Sequence, residues 1–277
     1  SGMVREQALL SRYYPEKTLL KFQEIISSFS KKPRLAIVAG SGWGEIVEGE
    51  LINEFSYSSL GIPFFTEVEG HAGKLRLLKK NNLTFLLFSG RLHLYQGYSF
   101  FEATLPVLFS RLAGVEAIVL TNSAGSLSFS LPPGSVVLID DQVDLTFYPD
   151  PILFSPPFFD KEIQEIFKKV GKEEGITLNQ GVYVGVLGPS FETPAEVRFL
   201  SRFGDMVGMS TVKEAKLASL LGLRIGGISL VTNWGAGMSS SFLHHQEVLQ
   251  TAASLQPLLH RLFSSFLEEW GKNANRS

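Results

Sequence analysis

Apolar and polar positions along the chain follow two different periods. From about Arg5 to Phe29 the apolar residues Leu9, Leu10, Leu19, Leu20, Phe22, Ile25, Ile26 and Phe29 recur at helical spacing, interrupted at Pro15, and predict helix. The period then shortens. "RLAIVAG" (34–40), "LTFLLFSG" (83–90), "EAIVLTNSAG" (116–125), "GSVVLIDDQVDL" (134–145), "GVYVGVLG" (181–188) and "LRIGGISLVTN" (223–233) are short β-rich runs ending in small or polar residues, and they predict buried strands. Helical spacing returns over about 99–112, 160–174, 194–203 and 211–221, and a closing helix is predicted over about 244–271. This alternation implies an α/β fold: a mixed, largely parallel central β-sheet flanked by helices. No repeat or linker divides the chain, so 1–277 is expected to be a single domain, with the Pro- and Phe-rich stretch 144–159 as a loop.

Composition narrows the classes. With 44% hydrophobic residues the chain can bury a large core, and 25 basic against 27 acidic residues, without long blocks of either sign, leave no footprint for a nucleic acid backbone. Cysteine is absent, which removes disulfides and thiolate metal sites. No run of eighteen apolar residues occurs, and "SGMVREQALL" lacks the apolar centre of a secretory signal. A cytoplasmic enzyme without membrane or nucleic acid partners is the expectation. Ser1-Gly2 ahead of Met3 reads as a tag remnant and is left out of the fold reading.

In sheets of this kind ligands gather where strand C-termini open, so the residues that follow each apolar run hold the candidate chemistry. "AGSGWGEI" is a glycine-rich turn that can expose N–H groups and the Ser41 hydroxyl to an anion, though such strings are as often plain tight turns. "SGRLHLYQGYS" (89–99) places Arg91, His93 and Tyr95 at spacing two, so that in extended backbone a guanidinium, an imidazole and a phenol share one side. His71 in "EGHAGKL" is a turn residue or a second anion neighbour. "TNSAGS" and "VTNWGAG" both end strands with Thr-Asn, where Asn commonly bonds its own turn. In "VGMSTVKEA" Ser210-Thr211 opens a helix with Glu214 in capping position, and that N-terminus can also receive phosphate. His245 stands at the entry of the last helix.

The stretch "GPSFETPAE" (188–196) contains a helix start: a Thr193 N-cap, Pro194 at the first position and Glu196 completing a capping box. Glu192 precedes the cap and gains nothing from it. Its carboxylate therefore finds a partner elsewhere in the fold or in a ligand.

Together, "GSGWG", "GHAGKL", "SGRLHLYQGYS", "TNSAGS", "GPSFETPAEVRFL", "VGMSTVKEAKLA", "SLVTNWGAG" and "HHQEVL", in this order, resemble the trimeric purine nucleoside phosphorylases from about Leu35 to the last helix. The resemblance implies phosphorolysis of a purine nucleoside to free base and ribose 1-phosphate, with inorganic phosphate as co-substrate, no metal or organic cofactor, and a homotrimer. By motif, Ser41, His71, Arg91, His93, the backbone N–H of Ser123, and Ser210 would hold phosphate. Phe191, Glu192, Val207, Met209 and Asn233 would bind the base, and Tyr95, Met209 and His245 the ribose, with Glu192, Asn233 and His93 closest to catalysis. An ionised Glu192 would accept the N1 proton of a 6-oxopurine, and the Asn233 amide would stabilise the leaving base. Three departures stand out: Ser123 where Ala is usual, Trp234 where relatives carry an aliphatic or Lys, and a shortened 144–159 segment. In that segment the aromatic reaching a neighbouring subunit would be Phe158, Phe159 or absent. A methylthioadenosine phosphorylase, which usually carries Asp near the Asn233 position, and a non-catalytic nucleoside-binding protein are the alternatives.

Overall fold

The computed structural model describes residues 2–44, 46–65, 73–240 and 245–274. The elements run α1 (Gly2–Tyr13), α2 (Glu16–Ser27), β1 (Leu35–Ala39), β2 (Glu50–Ser56), β3 (Lys74–Lys80), β4 (Leu83–Ser89), α3 (Phe100–Ala103), α4 (Leu105–Leu112), β5 (Ala117–Ser126), β6 (Val136–Asp144), α5 (Lys161–Glu173), β7 (Leu178–Gly185), α6 (Pro194–Leu200), β8 (Met206–Gly208), α7 (Val212–Leu220), β9 (Arg224–Trp234), α8 (His245–Ser254) and α9 (Gln256–Ala274). Among the described residues nine strands form one sheet in the order β2-β3-β4-β1-β5-β8-β7-β6-β9, and β9 pairs back onto β5. Strands β5, β9, β6, β7 and β8 thus close into a ring, and β1, β4, β3 and β2 extend from it as a wing. The β1–β4, β1–β5, β5–β9, β6–β7 and β7–β8 pairs are parallel. The β2–β3, β3–β4, β5–β8 and β6–β9 pairs are antiparallel.

The two-residue period of the central strands divides the core between two helical layers. Ala36 and Val38 of β1, Leu86 and Phe88 of β4, and Ile118 and Leu120 of β5 face a cluster containing Phe22 and Phe109 from α2 and α4. Leu35, Ile37, Phe85, Leu87, Ala117 and Val119 point the other way, toward Phe167 of α5 and Phe263, Phe266 and Trp270 of α9. Strands buried on both faces must be apolar throughout, which is why these runs are continuous rather than alternating. Helix α5 shows the complementary pattern: Ile163, Ile166, Phe167 and Val170 form its buried stripe, and Asp160 caps it by accepting the Ile163 N–H at 3.0 Å.

Several sequence expectations change. The helix expected over 99–112 divides at Thr104, with Pro106 inside the first turn of α4, and the one expected over 244–271 divides at Leu255, ahead of Pro257. Proline lacks the N–H that a continuous helix requires. The β2–β3 hairpin and the three-residue β8 have no counterpart among the expected strands; β2 is half exposed and polar, an edge strand without a buried face to mark it. Residues 91–95 are not a continuous strand, although His93 itself has an extended backbone (φ −98°, ψ 140°). Strand pairing ends at Ser89, and Leu94–Gln96 form a short 3-10 turn, so Tyr95 reaches its place by a turn rather than by alternation. Phe159 is 3% exposed and bridges to Ile225, so it is core and cannot reach a neighbour.

The Phe167 and Phe266 rings lie nearly parallel (4°) with centroids 3.9 Å apart at the α5–α9 contact. Phe266→Ala should lower stability by about 3–5 kcal/mol, the usual cost of emptying a large buried aromatic site. Urea denaturation checks this, and an unchanged midpoint would mean that the two helices are held by something else.

Candidate active site

The ring of strands gathers the strand ends around one cleft, with about 790 Å³ of space. Ser41 arrives from the turn after β1, Arg91, His93 and Tyr95 from the segment after β4, and Ser123 from the end of β5. Phe191 and Glu192 come from the connection between β7 and α6, Val207, Met209 and Ser210 from β8 and the segment after it, and Asn233 from β9. These eleven residues were all singled out from sequence. His71 lies outside the described residues, as does the side chain of His245. Asn122, Ala124, Gly125, Gly208, Thr232 and Val248 also line the cleft.

At one end stands a buried ion pair. The Arg91 Nε donates to both Glu214 carboxylate oxygens, at 3.0 and 3.3 Å, with the two side chains 3% and 6% exposed. Arg91 Nη1 donates to the Thr121 carbonyl. Its Nη2 is buried and has no hydrogen-bond partner among the described residues. A guanidinium N–H left without a partner in a cleft wall is expensive unless a ligand completes it, and an anion does so best.

Glu214 Oε1 also accepts the Thr211 N–H at 3.1 Å, so the residue legible in sequence only as a helix cap turns out to be the counter-charge of Arg91 as well. Thr211 has a left-handed backbone (φ 73°), a conformation that costs a non-glycine residue roughly 1–3 kcal/mol. Surrounding bonds impose it. Asn122 Nδ2 donates to the Thr211 hydroxyl at 2.9 Å, and Ser229 in turn donates to Asn122 Oδ1 at 2.7 Å. The fully buried Tyr183 hydroxyl accepts the Ser210 N–H at 3.2 Å. Ser210 is thereby presented at the N-terminus of α7. Tyr183 and Asn122 were missed as supports because a Tyr within a strand run and an Asn at a strand end carry no signal of what lies across the ring.

His93 stacks on Tyr95 with ring centroids 5.0 Å apart. Burial, and secondly the Arg91 charge, push its pKa down to about 4, so the imidazole is neutral at neutral pH. Arg91 is the cationic side chain among those lining the cleft.

Other residues of the cleft are polar but differently equipped. Burial raises the pKa of the Glu192 carboxyl, and the nearby Glu196 charge adds to the effect. The capping box expected beside it is present: Thr193 N–H donates to Glu196 at 2.9 Å and Glu196 N–H to the Thr193 hydroxyl at 3.1 Å. Glu192 takes no part in it. The Asn233 amide is oriented by its own strand, Oδ1 accepting from Thr232 at 2.9 Å and Nδ2 donating to the Trp234 carbonyl at 3.0 Å. Each amide atom retains one further hydrogen-bonding capacity. A carboxylate, a fixed amide, a buried guanidinium and the apolar Phe191, Val207 and Met209, gathered in one cleft, suit a flat heterocycle together with an anion. Among the described residues no group of three or more His, Cys, Asp or Glu side chains is placed to hold a metal ion.

The Phosphorylase superfamily model matches residues 34–268, which defines the class. "Purine nucleoside phosphorylase 1" of Bacillus subtilis is 34% identical over 260 residues, covering 89% of this chain and 96% of that protein. A schistosome purine nucleoside phosphorylase in complex with hypoxanthine superimposes with a TM-score of 0.81 at 30% identity, covering 91% of this chain and 96% of that one. The Schistosoma mansoni enzyme in complex with adenosine gives 0.79 at 31% identity, with the same coverage. The chain belongs to the purine nucleoside phosphorylases, pentosyltransferases of that superfamily.

Glu214→Gln keeps the shape of the cap and removes the counter-charge of Arg91. It should cost about 3–5 kcal/mol, the usual result of leaving one buried charge unpaired, in urea denaturation. A loss no larger than that of a surface substitution would show that Arg91 is compensated elsewhere.

Proposed function

We propose that this enzyme cleaves 6-oxopurine nucleosides, inosine and guanosine with their 2′-deoxy forms, by phosphorolysis. Phosphate attacks C1′ of the sugar, a C1′–O bond forms as the C1′–N9 bond breaks, and the base leaves with the electron pair. Ser41, His71, Arg91, His93, the Ser123 N–H and Ser210 hold the phosphate, and Arg91 Nη2 is the donor that awaits it. With His93 neutral, Arg91 supplies the fixed charge that a bound dianion needs and His93 supplies hydrogen bonding only. Phe191 packs against the purine and Val207 and Met209 line its pocket. Tyr95, Met209 and His245 orient the ribose. The Asn233 amide, held by Thr232 and the Trp234 carbonyl, stabilises negative charge developing on the departing base. No metal or organic cofactor takes part; phosphate is a co-substrate.

The observation that carries this reading is Glu192 standing free of its neighbouring cap in the same cleft as a pre-oriented Asn233. A 6-oxopurine offers a proton on N1 to a carboxylate, whereas adenine offers a lone pair that repels it. Asn233, in place of the Asp usual in methylthioadenosine phosphorylases, supports the same choice. One relative's structure holds hypoxanthine and another adenosine, so turnover rather than binding is the discriminating measurement. Inosine and guanosine should be cleaved only with phosphate present, and adenosine roughly a hundredfold less efficiently.

Glu192→Gln should cut inosine kcat/KM by roughly a hundredfold and raise the adenosine-to-inosine ratio. The raised Glu192 pKa adds a second readout. Ionised Glu192 is lost as pH falls through that pKa, so hypoxanthine affinity should decline at a pH above the ordinary carboxylate range, and the Gln variant should lack this decline. An unchanged substrate ratio with unimpaired inosine cleavage would return Glu192 to the role of a loop residue.

The working form is a homotrimer in the cytoplasm. Among the described residues no helix is long and apolar enough to cross a membrane. The loop after β6 leaves Phe147 92%, Leu153 95% and Phe158 66% exposed, more apolar surface than a lone subunit tolerates. A closed ring of three would repeat one contact and cover it. Light scattering should give three times the chain mass, and a fully active monomer would overturn the assembly.

A further inference from the structure

The turn after β1 carries Ser41 into the cleft just ahead of two residues of left-handed backbone, Gly42 (φ 83°) and Gly44 (φ 53°). Such a turn has many conformations open to it, and each must be given up when an anion binds. Three consecutive residues at the end of β5 restrain it. The Gly40 N–H donates to the Thr121 hydroxyl at 2.9 Å, and Trp43 Nε1 donates to the Asn122 carbonyl at 2.7 Å. The Ser123 hydroxyl donates to the carbonyl of Ser41 itself. From α9, the Gln256 amide donates to the Gly42 carbonyl.

These restraints differ in kind. Thr121 is buried and its hydroxyl also donates to the Val38 carbonyl at 2.7 Å, binding β1 to β5. Trp43 is wholly buried against Phe263, so its bond belongs to the core. Ser123 is half exposed at the cleft wall, and its side chain bonds the one residue of the turn whose hydroxyl lines the cleft. The turn is shaped around it: a Cβ on Gly42 would come within 3.0 Å of the Ser123 Oγ and 2.9 Å of Ala252 Cβ. The absent side chain at position 42 is what admits the hydroxyl.

We infer that the Ser123 side chain is a positioning group for the anion end of the site. Its hydroxyl holds the Ser41 turn in the conformation that receives phosphate before phosphate arrives, a role separate from that of the Ser123 backbone N–H. The inference rests on the phosphorolysis reading. It concerns the co-substrate only, because the bond joins Ser123 to the Ser41 turn and involves none of the residues assigned to the base.

The test is steady-state kinetics of Ser123→Ala, which keeps the backbone N–H and removes the tether. The phosphate KM should rise about threefold to tenfold, the scale of one neutral hydrogen bond, while inosine KM and kcat at saturating phosphate change less than twofold. Ser123→Thr, which retains the hydroxyl, should return the phosphate KM toward its original value. An unchanged phosphate KM in Ser123→Ala, a parallel rise in inosine KM, or a Thr variant as impaired as the Ala variant would each overturn the inference. If the unaltered enzyme showed no phosphate-dependent cleavage, the phosphorolysis reading itself would fall, so the two failures are distinguishable.

Discussion

A positive charge has been taken out of water at Arg91 and must be compensated from within the fold. Glu214 does this from 123 residues away, across the interior of the sheet, and the pair fixes where α7 begins. Once α7 is in place, Thr211 must turn left-handed, Ser210 must face the cleft, and Tyr183 and Asn122 must lie beneath them. Glu214 uses one carboxylate for Arg91 and for the Thr211 N–H together, so helix initiation and charge compensation cannot be separated. The pair leaves one guanidinium nitrogen without a partner among the described residues, on a side chain that lines the cleft.

The closed ring of strands explains why residues so dispersed in sequence meet. Strands β1, β4, β5 and β9 run one way and β6, β7 and β8 the other, and closing the sheet until β9 pairs with β5 brings residues from both sets to one cleft instead of along a line. Polarity is then distributed by strand: β4 supplies the cation, β5 and β1 the anion-facing turn, β7 and β9 the groups suited to a purine. The base end is made selective by what is withheld, since Glu192 is given no partner by the capping box beside it.

How much was legible follows from how local each signal is. Continuous apolar runs and the polar residues at their ends mark β1, β4, β5, β6, β7 and β9, and with them Ser41, Arg91, His93, Tyr95, Ser123, Glu192 and Asn233, because burial on both faces and exposure at the tip are properties of consecutive residues; Ser210 is legible as a helix start, and Phe191, Val207 and Met209 only through the family resemblance. The Thr193 capping box is local in the same sense. The edge strand β2 with its neighbour β3, the short β8 and the closure of the ring depend on partners outside their own segments, and no periodicity records them. The same limit applies to Glu214, whose capping position is visible in sequence and whose ion pair is not. Helices were joined across Thr104 and Leu255 because the apolar period continues through both, although Pro106 and Pro257 were the available signals.

Helix α7 has a second attachment. Lys213 and Lys216 each bond both Asp144 and Asp150 at 2.7–2.9 Å, and Lys213 also donates to the Tyr148 carbonyl at 2.8 Å. Burial alone would raise the Asp144 pKa, but these lysines outweigh it and bring it down to about 2. A helix of nine residues, about 13 Å long, therefore joins the base of the aromatic loop to the residues that present Ser210. This divides the loop by its freedom to drift over generations. Phe147, at its exposed tip, can be exchanged with little consequence for the pocket, and a family could rewrite such a tip to suit a new neighbour. Asp144 and Asp150 cannot be rewritten so freely, for a change there moves the helix that carries the site.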